Sequence, residues 1–99
     1  MGVRRGTAPA RLRAEVSVKN AAERLLFKVV YVNMPGTAYR ALAEKLPLGD
    51  LLVQLIAEWD ADYALSTDGF SELEDERPGV CMALLEAYHA TRSLEREGN

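Results

Sequence analysis

Cys81 and His89 are the first residues of this 99-residue chain to test for chemistry, because a thiol and an imidazole can form a nucleophile and its base. They lie eight residues apart in one predicted helix, about 12 Å along its axis at 1.5 Å per residue. A catalytic pair needs hydrogen-bond contact, so this spacing favours a buried structural cysteine and an exposed histidine. One cysteine and one histidine also exclude an internal disulfide and a Cys/His zinc site.

The acidic stretch that begins at Asp60 is a second candidate, for calcium. An EF-hand loop starting there would have Ala64 at its fifth position, where a ligand belongs. Leu65 would replace the tight-turn glycine, and Ser71 would replace the bidentate glutamate. The carboxylates that follow are typical of a solvated helix face rather than of an acid–base pair. The residues therefore predict no enzyme, and no catalytic, cofactor-binding or metal-binding site.

Basic residues alternate along the segment 11–19, as they would in a β-ribbon that enters a DNA groove. In ribbon-helix-helix repressors, which this segment resembles, a helix follows the strand directly, whereas here a second strand is predicted. The net charge of −3 also argues against nucleic acid as the partner. A small DNA-binding or antitoxin-like regulator that uses this strand is the alternative function.

The charge is distributed unevenly along the chain. Residues 1–45 contain nine Lys/Arg and three Glu, whereas residues 46–99 contain three Arg and twelve Asp/Glu. The two halves could attract each other within one domain, steer a charged partner, or let copies associate head to tail. No apolar run approaches the roughly 20 residues of a membrane span, so no membrane partner is expected. The single cysteine favours a reducing cytoplasm.

Residues 1–10 show no periodicity and predict a flexible basic arm. The two segments that follow have the pattern of β-strands. Residues 11–19 alternate polar and apolar side chains. Residues 25–32 are mostly apolar on both faces, with Lys28 on one of them, which predicts a second strand covered on both sides. The connection at 20–23 is short, so the strands form an antiparallel hairpin over 11–33. An isolated hairpin is only marginally stable in water, and an exposed apolar edge tends to pair with another chain. The sequence therefore predicts self-association or partner binding through the hairpin.

Helical spacing follows the hairpin over residues 37–96. Thr37, Asp50 and Ser66 are predicted N-caps, and the helix from Asp50 would present an apolar stripe that ends at Trp59. Pro78 either starts a last helix or kinks one long helix. The fold class is therefore α+β, with an N-terminal antiparallel hairpin and three to four helices packed on it. Residues 11–99 form a single domain.

Four short runs resemble a known family: residues 55–60 (LIAEWD), 65–70 (LSTDGF), 77–80 (RPGV) and 84–88 (LLEAY). Together with the strand and helix upstream and the close at Gly98 and Asn99, they are similar to the tail assembly chaperones of long-tailed bacteriophages and prophages. The resemblance covers about residues 25–99. Gly69 departs from the family's pattern, which has a good helix former there, and would cost that helix about 1 kcal/mol relative to alanine.

The resemblance implies a function that composition and spacing do not show. Proteins of this family bind the tape-measure protein, keep it soluble and help to recruit tail-tube subunits during tail assembly. They act in the host cytoplasm and are absent from the finished particle. A structural tail or connector subunit is a third reading, which the presence of the chain in purified particles would distinguish.

Apolar and aromatic residues are the expected partner contacts, because a protein that holds a partner needs accessible apolar surface and no active site. Each of them has an ordinary alternative role in the core, above all the tryptophan at the end of the apolar stripe. The residues expected to bind the partner are Phe27, Val30, Tyr31, Trp59 and Tyr88.

Overall fold

Two long strands open the fold in the computed structural model, which describes residues 2–97. β1 (Arg11–Lys19) and β2 (Arg24–Val32) pair antiparallel over their whole lengths. Asn20 closes the turn between them, since its side-chain oxygen accepts hydrogen bonds from the backbone N–H groups of Ala22 and Glu23 at 2.8 and 2.9 Å. The predicted N-terminal antiparallel hairpin is confirmed, with strands that span residues 11–32.

A third strand, β3 (Ile56–Trp59), pairs antiparallel with the other edge of β2, so the sheet has the order β1-β2-β3. The prediction that one helix runs to Trp59 is wrong, because the helix ends at Leu55 and the backbone becomes extended at Ile56. Asp60 anchors the new strand: its backbone N–H donates to the carbonyl of Lys28, and its carboxylate accepts from the N–H of Lys28. Pairing along β2 therefore outweighs the helical spacing of this segment.

Over residues 2–97, four helices complete an α+β fold and pack on one face of the sheet, as predicted. α3 contacts the aromatic side chain of β3, and α4 packs against β1. The first helix is peripheral, since none of its residues is buried. The helices are α1 (Gly36–Lys45), α2 (Leu48–Leu55), α3 (Thr67–Glu76) and α4 (Val80–Arg92).

Only one of the three predicted N-caps is observed. Ser66 caps α3, and its hydroxyl accepts a hydrogen bond from the N–H of Gly69 at 3.1 Å. The other two helices start earlier than predicted, directly after Pro35 and Pro47, where the fixed φ of proline suits the first turn. Thr37 and Asp50 therefore lie inside the first turns and cap nothing, although Asp50 accepts a hydrogen bond from Thr67 that ties α2 to α3.

Gly69 meets the preceding loop at very short range. A Cβ placed on Gly69 would lie 2.8 Å from the carbonyl carbon of Ala64 and closer still to its oxygen. Real Cβ atoms do not approach a backbone group so closely, so only glycine fits here. The residue that departs from the family's pattern is thus required by the packing of α3 against the loop before it.

A sharp corner separates α3 from α4, so the last two helices are distinct and do not form one kinked helix. Gly79 makes the turn with φ at +94°, a conformation that side-chain-bearing residues rarely adopt. Glu74 supplies the cap that Gly79 cannot: its carboxylate accepts hydrogen bonds from the N–H of Gly79 at 2.6 Å and of Cys81 at 3.1 Å. A carboxylate from the preceding helix therefore offsets the partial positive charge at the N-terminus of α4.

Replacing Glu74 with glutamine should lower the free energy of unfolding by about 0.5–1 kcal/mol at pH 7. The hydrogen bond from Gly79, followed by those from Cys81, holds the pKa of Glu74 below its ordinary value. A lowered folded-state pKa gives stability that is present above the ordinary pKa and lost as the pH falls through the lowered one. Urea unfolding should therefore show that the difference in unfolding free energy between Glu74→Gln and the parent becomes smaller under acid conditions. Glu72→Gln, at an exposed site on α3, is the control and should have the stability of the parent at every pH.

The ends of the chain differ in part from expectation. Residues 2–10 form no helix or strand and are exposed, while their predicted flexibility stays a prediction. The last helix ends at Arg92 rather than near residue 96. The backbone N–H of the next residue, Ser93, donates to the carbonyl of His89. Met1 and the predicted close at Gly98 and Asn99 lie outside the described residues.

Candidate interaction surface

The outer sheet face is the side of the sheet that points away from the four helices. Strand alternation and the observed register bring its side chains together, because β1 and β2 pair residue by residue and Glu58 of β3 lies opposite Val30. The face consists of Arg11, Arg13, Glu15, Ser17 and Lys19 of β1, Arg24, Leu26, Lys28, Val30 and Val32 of β2, and Glu58 of β3.

Positive charge dominates this face, although the chain as a whole carries −3. Five basic side chains occupy it against the two acidic side chains of Glu15 and Glu58. By contrast, α3 carries five acidic residues and no basic one. The uneven charge along the sequence thus becomes an uneven charge between the sheet and the helices.

Little of this charge is neutralised inside the domain. Within the described part of the chain, one ion pair joins a basic residue of the N-terminal half to an acid of the C-terminal half: Arg11 and Glu58, 3.7 Å apart and both exposed. A closer contact joins a basic residue of the C-terminal half to an acid of the N-terminal half: Arg77 donates to Glu23 at 2.9 Å. Attraction between the two halves therefore accounts for little of the asymmetry, and the basic face stays available to a partner.

Apolar side chains lie between the charges of the outer sheet face. The side chain of Leu26 is 54% exposed, whereas Val30 is 8% exposed because it sits opposite Arg13 and beside Glu58. A shallow groove of about 540 Å³ runs over this region, and its lining includes Arg13, Lys28, Val30 and Glu58. The prediction that both faces of β2 are covered is wrong, since the helices cover only the inner one.

The five residues predicted to bind a partner lie at different depths. Phe27, Tyr31 and Tyr88 belong to the core, with 5%, 0% and 0% of their surfaces exposed. Trp59 is half-buried on the inner side of the sheet, and Val30 alone belongs to the outer sheet face. Direct contact with a partner stays a prediction for all five, but four of them first serve to build the core.

Two aromatic groups connect the sheet to the helices. The ring of Trp59 lies 6.3 Å from that of Phe27 and 4.9 Å from that of Phe70, and its Nε1–H donates to the carbonyl of Tyr63. On the other side, Tyr31 meets Tyr88 edge to face at 5.3 Å. Trp59 thus fastens β3 to α3, and the tyrosine pair fastens β2 to α4.

The hydroxyl groups of the buried tyrosines are satisfied. Tyr31 donates to the carbonyl of Leu84 at 2.8 Å, and burial raises the pKa of Tyr31 to about 12. The hydroxyl of Tyr88 accepts from Arg92 at 2.9 Å and from the backbone N–H of Met34 at 3.4 Å. Both tyrosines therefore act as structural residues whose hydroxyl groups have hydrogen-bond partners.

The two side chains tested for nucleophilic chemistry face different neighbours. Cys81 is buried and directs its thiol towards the carbonyl of Phe70, and burial raises the pKa of Cys81 to about 12. His89 is exposed and shares a hydrogen bond of 2.9 Å with the hydroxyl of Tyr39. Residues 2–97 contain no group of three or more His, Cys, Asp or Glu side chains placed to hold a metal ion.

Leu26 and Lys28 are the surface residues that sequence reasoning missed. Both share the β2 face with Val30, so alternation alone places them together. The sequence does not reveal that this face lacks a covering layer, since that depends on all four helices packing on the other side. A leucine between basic residues on a strand was the available signal.

Comparison with known proteins identifies one family. Residues 12–99 match the model of the phage tail assembly chaperone family, which extends the similarity from about residue 25 back into β1. No curated protein and no solved structure matches the chain significantly. Across residues 2–97, no helix combines the length and apolar character needed to cross a membrane.

Proposed function

We propose, because this chain belongs to the phage tail assembly chaperone family, that it holds the tape-measure protein in solution through the outer sheet face. It also helps to recruit tail-tube subunits around that protein, acts in the host cytoplasm, and leaves before the particle is complete. Membership of a chaperone family implies a non-enzymatic role, which agrees with a surface built for contact.

The observation that carries the proposal is the exposed leucine on the outer sheet face, Leu26, near the turn of the hairpin. Leu26 and the groove beside Val30 give a partner an apolar contact, and Lys28 and Arg13 flank it with charge. A protein that keeps an aggregation-prone partner dispersed needs both features, since apolar area supplies affinity and charge preserves solubility. The acidic side of the molecule, centred on α3, would face solvent in such a complex.

Co-expression with the tape-measure protein encoded near this gene tests the proposal. The parent chain should raise the soluble fraction of the tape-measure protein several-fold and remain bound to it in a pull-down. Leu26→Asp should reduce both effects at least fivefold, because it places a carboxylate in the apolar contact.

Met82→Asp is the matched control, since Met82 is 50% exposed on α4, on the helical side of the molecule. It should retain the partner as well as the parent does. Circular dichroism should show that both variants are folded. Equal loss in the two variants, or no retention by the parent chain, would contradict the proposal.

DNA binding remains the second candidate, because five basic residues share the outer sheet face. Phosphate contacts would make the affinity for duplex DNA fall steeply between about 50 and 200 mM salt. We expect no such binding, and a fluorescence anisotropy titration with a labelled duplex measures it directly.

A further inference from the structure

β1 is an edge strand, and its outward backbone groups can be identified from the hydrogen bonds at its two ends. The N–H of Asn33 donates to the carbonyl of Ala10 at 3.0 Å, and the N–H of Asn20 donates to the carbonyl of Glu23 at 2.9 Å. In an antiparallel ladder, the backbone N–H and C=O groups of successive residues alternate: those of one residue bond to the neighbouring strand, and those of the next point away from it. Even-numbered residues of β1 therefore bond to β2, and the odd-numbered residues direct their N–H and C=O groups to the free edge.

This edge is long and unpaired. It spans nine residues, against four in β3 at the opposite edge. Within residues 2–97, no backbone hydrogen bond outside the hairpin ladder reaches the odd-numbered residues 11–19. Long open edges are templates for another strand, and natural proteins usually cover, shorten or disrupt them.

The charges along β1 select a register for pairing with a second copy. A two-fold axis perpendicular to the sheet lies between the two copies of β1, so one residue of the strand faces its own copy across the axis. At least seven residues of each strand are paired only when that central residue is Ala14, Glu15 or Val16. Centring on Glu15 sets that carboxylate against its own copy, and centring on Val16 sets Arg13 against Lys19. Centring on Ala14 sets Arg13 against Glu15 twice and opposes no like charges.

We propose that two copies of this chain pair through β1 in the register centred on Ala14, forming a continuous six-stranded sheet. Arg13 of one copy then faces Glu15 of the other, and Arg11 faces Ser17, in four hydrogen-bonded residue pairs. On the inner face, Leu12 meets Val16 of the second copy. Backbone bonding, opposite charges and apolar contacts all agree in this one register.

The pairing would also double the outer sheet face. Because a two-fold axis perpendicular to the sheet keeps the same side outward, the groove and Leu26 of each copy lie on one surface. This inference is independent of the proposed function, since it concerns the purified chain alone. A dimer without tape-measure binding, or tape-measure binding by a monomer, would separate the two.

Charge reversal tests the register. Size-exclusion chromatography with light scattering should show the mass of the parent chain rising from 10.9 kDa towards twice that value as the concentration increases. Arg13→Glu and Glu15→Arg should each weaken association at least tenfold, because each sets like charges against each other twice. The double variant R13E/E15R restores opposite charges across the axis and should associate like the parent.

Ser17→Pro probes the same edge without changing charge. Residue 17 points its N–H away from β2, so proline there removes an intermolecular hydrogen bond and leaves the hairpin ladder intact. It should also weaken association, with thermal unfolding confirming a folded chain. A parent chain that stays monomeric up to about 1 mM, single variants that associate like the parent, or a double variant no better than the single ones would overturn the proposal.

Discussion

Gly69→Ala should destabilise the protein by about 2 kcal/mol or more, even though alanine is the better helix former by about 1 kcal/mol. The added methyl group would collide with the carbonyl group of Ala64, which belongs to the backbone and cannot rotate away as a side chain can. Overpacking of this kind costs typically 1–3 kcal/mol, and more where the backbone must move. Thermal unfolding followed by circular dichroism should show a Tm lower by on the order of 10 °C.

Gly49→Ala is the matched control, because Gly49 also lies in the first turn of a helix. A Cβ there would lie 3.8 Å from the Cβ of Phe70, an ordinary contact. This variant should therefore keep or gain stability, by up to about 1 kcal/mol. If Gly69→Ala unfolds at the same temperature as the parent, the close approach to Ala64 is not rigid and the explanation for Gly69 fails.

Trp59→Ala should lower the free energy of unfolding by about 3 kcal/mol, at the lower end of the range for aromatic residues because Trp59 is only half-buried. The substitution removes the contacts with Phe27 and Phe70 and the hydrogen bond to Tyr63. The last strand pair of the sheet would lose its attachment to α3. Urea unfolding must be followed by circular dichroism, since Trp59 is the chain's single tryptophan.

Leu26→Ala gives the comparison at an exposed position, and we expect it to change stability by no more than about 0.5 kcal/mol. The pair of variants distinguishes the core from the partner surface. A stability for Trp59→Ala equal to that of the parent would mean that the indole is free to act as a partner anchor.

The hairpin could be predicted because its signal is local. Unbroken alternation over residues 11–19 and the short connection at 20–23 determine the strands and the register together. Ser66 was equally informative, since an N-cap acts on the N–H group three residues later. Local patterns were not always sufficient, because the N-caps predicted at Thr37 and Asp50 lie inside helices that begin directly after Pro35 and Pro47.

β3 could not be predicted, because its cause is distant in sequence. Residues 52, 55, 56 and 59 have helical spacing, and four residues are too few for a strand pattern to compete. The segment becomes extended because the second edge of β2 needs a partner, and that edge lies more than twenty residues earlier. For the same reason, the sequence showed only the helix penalty at Gly69 and not the carbonyl that requires it.

The candidate surface was found only in part. An apolar residue on a strand gives the same pattern whether it meets a helix or solvent, so Phe27 and Tyr31 could not be distinguished from Leu26. The family was recognised from scattered residues after position 25, whereas the match begins at residue 12 and includes β1.

The position of β3 in the sequence, well after β2, has a consequence for synthesis on the ribosome. β2 is the central strand, yet its second neighbour is complete only at Trp59, 27 residues after Val32. At 5–20 residues per second, this leaves one side of an apolar strand open on the nascent chain for about 1–5 seconds. Early pairing with β1 closes the other side, so the order of the strands limits the time in which unfinished chains can aggregate.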